Sequence, residues 1–122
     1  MSKTILTVDD SPSVRRMVAM TLRGAGFDVV EACDGKEALG QATAQRFDAI
    51  ITDQNMPNMD GLGFIRAFRA TPASQGVPIV FLSTESEAGL KAQARDAGAL
   101  GWIIKPFNQD QLLAVIRKMV GA

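Results

Sequence analysis

Two aspartates, Asp9 and Asp10, stand side by side directly after the apolar run Thr4-Ile5-Leu6-Thr7-Val8. A third, Asp53, directly follows Ala49-Ile50-Ile51-Thr52, and Lys105 follows Leu100-Gly101-Trp102-Ile103-Ile104 and precedes Pro106. Ser83 and Thr84 follow the apolar stretch Ile79-Val80-Phe81-Leu82. Taken singly, each is an ordinary capping, turn or strand-end residue. Brought together at one edge of a sheet, they form a cation site beside a carboxylate nucleophile. Two carboxylates about 4 Å apart repel by roughly 4 kcal/mol at an effective dielectric of about 20. A hard divalent cation with oxygen ligands relieves that crowding, and Mg²⁺ suits a site that also handles phosphate. Three carboxylates with no His or Cys ligand disfavour zinc and copper. A carboxylate can attack a phosphoryl group and become an acyl phosphate. Asp53 stands alone at its strand end and is the expected acceptor, with Asp9 and Asp10 as ligands or water-holders.

The elements that must position these residues alternate between strand and helix. After the first strand, Ser11 can cap a helix that opens on Pro12 and keeps Val14, Met17, Val18, Thr21 and Leu22 on one face. Phe27 to Ala32 reads as a second strand, and Asp34 with Glu37 opens a second helix with Ala38, Leu39 and Ala42 inward. The third strand ends at Asp53. A loop over 54–60 leads to a helix with Leu62, Ile65 and Phe68 on one face. Pro78 to Leu82 forms the fourth strand, a helix is expected from about Glu85 to Ala97, and the fifth strand ends at Ile104. The last helix starts at an Asn108 cap and turns Leu112, Leu113, Ile116, Met119 and Val120 inward.

Continuously apolar strands suit a parallel sheet covered on both faces. The expected fold class is therefore α/β: a (βα)5 three-layer, doubly wound parallel sheet, flavodoxin-like, of order 2-1-3-4-5. That order puts strands one and three side by side where the winding reverses, and ligands bind there at the carboxyl ends of the strands. Neighbouring strands are about 4.8 Å apart, so strand five lies about 10 Å from strand three. A long cationic side chain such as Lys105 can bridge that gap to a phosphoryl group on Asp53. A short hydroxyl suffices from strand four.

With 122 residues, 47% of them hydrophobic, the chain can bury one real core without disulfides. Lys+Arg and Asp+Glu are 13 each, which argues against a general nucleic-acid binder. The lone Cys33 has no internal partner and reads as a small buried residue near a strand end in a reducing cytoplasm. No stretch reaches the about 18 apolar residues of a membrane span. The absence of histidine removes His-based zinc sites, Ser-His-Asp catalysis and phosphohistidine carriage within the chain.

Val8-Asp9-Asp10-Ser11, Asp53 to Gly61, Ser83-Thr84 and Lys105-Pro106-Phe107 together resemble the receiver domains of two-component response regulators, in particular single-domain chemotaxis regulators of the CheY type. The resemblance covers the whole chain. It implies that Asp53 is phosphorylated by a histidine kinase, that Asp10, Asp53 and the Asn55 backbone carbonyl bind Mg²⁺, and that Asp9 holds the metal through water. It implies that Lys105 and Ser83 act on the phosphoryl group and that the Lys105-Pro106 peptide is cis. It also implies a switch in which Ser83 is drawn toward the phosphoryl oxygens and an aromatic at Trp102 turns inward, at a position where CheY-type proteins usually carry tyrosine.

The expectation is a single receiver domain over residues 1–122 without an output domain: a cytoplasmic monomer that is a phosphoacceptor rather than an enzyme, assisting its own phosphorylation and dephosphorylation. A downstream partner, a flagellar motor switch or a phosphotransfer domain, would read the face of helix four, strand five and helix five through Lys91, Trp102, Phe107 and Gln111. No nucleic-acid or membrane partner is expected. The alternatives are a phosphorelay intermediate or phosphate sink, an Asp-nucleophile phosphohydrolase and a flavin binder. The phosphohydrolase is opposed by Asn55 where an acid would stand. The flavin binder is opposed by the acidity of the first loop, where a phosphate cradle would be needed.

Overall fold

The computed structural model describes residues 2–84 and 89–121. Five strands and five helices alternate: β1 (Thr4–Val8), α1 (Pro12–Gly24), β2 (Asp28–Ala32), α2 (Gly35–Ala44), β3 (Ala49–Asp53), α3 (Gly61–Arg69), β4 (Ile79–Thr84), α4 (Leu90–Ala97), β5 (Gly101–Lys105) and α5 (Gln109–Val120). A short 3₁₀ turn, Pro72–Ser74, precedes β4. All strand pairs are parallel and the order is β2-β1-β3-β4-β5, as expected.

Period-two alternation sends neighbouring residues into two separate cores. Leu6, Ile50, Ile79 and Phe81 face one side, where they meet Ala38, Ala42, Phe64, Ile65, Phe68 and Ala94 of α2, α3 and α4. Ile5, Ile51, Val80, Leu82 and Ile103 face the other, against Val18 and Leu22 of α1 and Leu112 and Ile116 of α5. Side-chain caps start α1, α2, α3 and α5. Ser11 accepts from the Val14 amide, Asp34 from Glu37 and Asp60 from Gly63, and Asn108 with Gln111 makes a reciprocal capping box. Strand ends and helix starts are thereby gathered at one edge of the sheet.

Several local expectations are corrected. β4 continues through Ser83 and Thr84, because these pair in register with Ile104 and Lys105 of β5. The Phe27 amide bonds back to the Leu22 carbonyl, so β2 begins one residue late, at Asp28. The described part of α4 begins at Leu90; the expected start, 85–88, lies outside the described residues, and Gly89, with φ of 81°, interrupts helical geometry before Leu90. Cys33 is exposed rather than buried, since it lies beyond the last paired residue of an edge strand and donates its amide to Glu37 Oε1 at 2.8 Å. Met17 is exposed and Ala19 takes its place in the buried stripe of α1. Leu113, Met119 and Val120 are only partly buried, and Ile104 on the edge strand β5 is exposed. Among the described residues, no helix is long and apolar enough to cross a membrane.

Candidate functional site

The register delivers the acids. Val8 pairs with Thr52, so Asp9 and Asp53 leave adjacent strands at the same level. Asp9 is held from several directions. Its amide donates to the Ala32 carbonyl (3.1 Å), its Oδ1 accepts from the Ser11 amide (2.9 Å), and its carbonyl accepts from Arg15 Nη1 (2.8 Å). Arg15 in turn pairs with Glu31 at 3.2 Å, which ties α1 to β2. Asp9 and Asp53 are buried, whereas Asp10 is exposed. Carboxylate oxygens of the three lie within 4.8 Å of one another. Lys105 reaches across from β5, with Nζ 3.2 Å from Asp53 Oδ1 and 3.5 Å from Asp9 Oδ2.

One lysine does not balance this cluster. Burial, and then the charge of Asp9, push the Asp53 carboxyl above its ordinary value, and Lys105 only partly offsets them. Asp9 Oδ2 is buried and has no hydrogen-bond partner among the described residues, because Lys105 contributes charge there without bonding geometry. An orphaned buried carboxylate oxygen is costly unless something occupies the space before it. Hard oxygen donors, converging and short of positive charge, fit Mg²⁺.

Of the other expected residues, Ser83 is buried and its hydroxyl donates to the Thr84 carbonyl at 3.3 Å. Thr84 is exposed and pairs in register with Lys105. Trp102 is half-buried and stacks on Phe81, with centroids 5.2 Å apart and planes 24° from parallel. The Phe81–Trp102 and Ser83–Ile104 pairs place Ser83 and Trp102 on one face of the sheet. The Lys105-Pro106 peptide is cis. Asn55 is exposed in the loop between β3 and α3. On the proposed partner face, Lys91 and Gln111 are exposed, and Trp102 and Phe107 are half-buried.

Three contributors escaped the reading of the sequence. Arg15 fixes the Asp9 backbone; its only signal is a cation one turn into the helix that follows the acids. Gln54 closes the β3–α3 loop, accepting the Leu62 amide (2.9 Å) and donating to Asp60 Oδ2 (3.2 Å). Gly61 packs directly against the Asp53 carbonyl, where any Cβ would collide with that oxygen. Its adjacency to the capping residue Asp60 was visible, but the close approach was not.

Residues 5–117 match the model of the response regulator receiver domain family. The transcriptional regulatory protein PrrA of Mycobacterium tuberculosis is 38% identical over 98% of this chain, which spans 50% of that protein. The structure of the chemotaxis response regulator CheY4 of Vibrio cholerae is 43% identical, with a TM-score of 0.92, and the match covers 98% of this chain and 99% of that one. The receiver domain of the sensor histidine kinase PA1611 of Pseudomonas aeruginosa is 30% identical with a TM-score of 0.92 and full coverage of both chains, 100% each, and its structure carries a magnesium ion coordinated in the active site cleft.

Proposed function

The chain belongs to the response regulator receiver domain family, and from that premise we propose that Asp53 accepts a phosphoryl group from the phosphohistidine of a histidine kinase. The observation that carries this reading is the buried Asp53 carboxylate, with Lys105 Nζ at 3.2 Å and the oxygens of Asp9 and Asp10 beside it. Asp10, Asp53 and the Asn55 carbonyl would hold Mg²⁺, with Asp9 contributing through water. The bound ion would neutralise charge on the phosphoryl oxygens. An Asp53 carboxylate oxygen forms a bond to phosphorus as the N–P bond of the donor breaks, and the histidine nitrogen leaves with the electron pair. Lys105 meets a phosphoryl oxygen and holds it in place. Without the ion, burial and then the charge of Asp9 hold the Asp53 carboxyl above its ordinary value, which favours the approach of a cation.

The near-complete match to a chemotaxis regulator supports a role as a diffusible messenger whose phosphorylated form is read on the α4, β5 and α5 face. PrrA, matched over half its length, is a transcriptional regulator. The receiver of PA1611 belongs to a sensor histidine kinase, which favours as second reading a relay that passes the group to a phosphotransfer domain. Return of the label to a partner histidine separates relay from messenger.

Acetyl phosphate with Mg²⁺ should add one phosphoryl mass per chain, mapped to Asp53, and chelation should abolish the addition. Label on another residue, or label that survives chelation, would overturn the assignment. Beryllofluoride with Mg²⁺ should change the emission of Trp102, the sole tryptophan, because inward turning toward Ser83 breaks its stack on Phe81. Unchanged emission in a chain that takes up label would remove Trp102 from the switch.

A further inference from the structure

We propose that Asp34 and Asn58 form a latch between two loops that positions the Asn55 carbonyl and so sets the affinity of the acidic site for Mg²⁺; this rests on the phosphoacceptor reading above. The loop over 54–60 is closed at its base by Gln54, whose carbonyl also accepts from the Gly61 amide at 3.0 Å. Its far side leans on the turn between β2 and α2. There Asn58 Nδ2 donates to Asp34 Oδ2 at 2.8 Å, and the Gly35 amide donates to the Met59 carbonyl at 3.0 Å. A side chain at Gly35 would strike Met59, so the two turns approach as only glycine allows.

Two further features mark the contact as more than a surface bond. Asn58 has φ of 67°, the one left-handed non-glycine residue among those described. Such a conformation persists where its surroundings hold it, and it clusters near functional sites. Asp34 divides its carboxylate: Oδ1 caps α2 by accepting from Glu37 at 2.8 Å, and Oδ2 takes the Asn58 amide. The Glu37 amide first, and the Asn58 side chain second, hold the Asp34 carboxyl below its ordinary range, so the bond to Asn58 has an ionised acceptor and is stronger than a neutral one. A backbone carbonyl ligand cannot adjust through a rotamer. Its place is set by the loop, and Asn58 is three residues from Asn55. Asp34 itself is not among the clustered acids. It is a positioning residue that acts through the loop.

The test cuts the bond from both sides. Asp34→Ser keeps an α2 cap but is too short to reach Asn58. Asn58→Gly removes the amide and tolerates the positive φ. Titration calorimetry with Mg²⁺ alone should show its Kd raised about tenfold in each variant. The double variant should also show about tenfold rather than the product, since both changes break one contact. At saturating Mg²⁺, labelling by acetyl phosphate should return to the native rate, which a general loss of structure would not permit. An unchanged Kd in both single variants, or multiplied effects in the double variant, would overturn the latch. Failure of the native chain to bind Mg²⁺ or to take up label would sink the phosphoacceptor reading and the latch together. Native behaviour with indifferent variants sinks the latch alone.

Discussion

An Asp53→Asn variant should take up no phosphoryl group from acetyl phosphate or a kinase and yet melt at a higher temperature than the native chain in chelator at neutral pH. Loss of label follows from loss of the nucleophile. The gain in stability follows from the balance at Asp53, where burial and the charge of Asp9 outweigh the attraction of Lys105. With a folded pKa above the unfolded one, the native state binds more protons than the unfolded state between the two values. Stability therefore falls as pH rises through that window, which opens at the ordinary carboxylate value and closes at the raised one. Asparagine keeps the shape and removes the charge. A gain on the order of 1 kcal/mol, about 4 °C in Tm, is expected. Scanning calorimetry in chelator from acid to neutral pH checks it: the native curve should decline where the variant stays flat. A lower Tm for the variant at neutral pH would mean that Lys105 outweighs burial and Asp9. Asp10, exposed to solvent, offers less relief, so Asp10→Asn should change the metal-free melt less.

Lys105→Met should have the opposite effect on stability. Methionine fills the space and leaves Asp9 and Asp53 facing each other with no cation. Removing one partner of a buried ion pair costs about 3 kcal/mol, the lower end of the usual range because the Lys105 side chain is 23% exposed. For a chain of this size that is about 10 °C in Tm. Mg²⁺ should recover most of the loss by binding only the folded state, so its stabilising effect should be larger in the variant than in the native chain. Labelling should still fall roughly a hundredfold at saturating Mg²⁺, because the phosphoryl oxygen loses a charged donor. Parallel melts with and without Mg²⁺, and a labelling time course, measure the two effects separately. A melt as high as that of the native chain in chelator would show that the acids do not lean on Lys105.

The fold was legible because the strands are short apolar runs bounded by caps and glycines, and strict alternation leaves few ways to arrange them. The same runs put Asp9, Asp10, Asp53 and Lys105 at strand ends, so their meeting is legible in the sequence alone. Errors arose where local pattern and tertiary exposure part company. Cys33 looks apolar but lies past the last pair of an edge strand, and Met17 fits the helical stripe yet faces solvent while the smaller Ala19 is buried. Ser83 and Thr84 were placed just after the fourth strand rather than in it, because strand length depends on the partner strand. Arg15, Gly61 and the pairing of Asp34 with Asn58 were invisible for a different reason: they act through backbone atoms or across loops, and no spacing rule records such approaches.

The pairing order ties the pocket to the assembly of the sheet. Asp9 directly follows the first strand and Lys105 ends the last, and β5 joins the sheet only through β4. Until β5 is in place, the pocket therefore holds Asp9, Asp10 and Asp53 without Lys105, the cation that faces them. Charge balance in the pocket accordingly waits on the outermost strand of the sheet, so docking of β5 and completion of the site are one event.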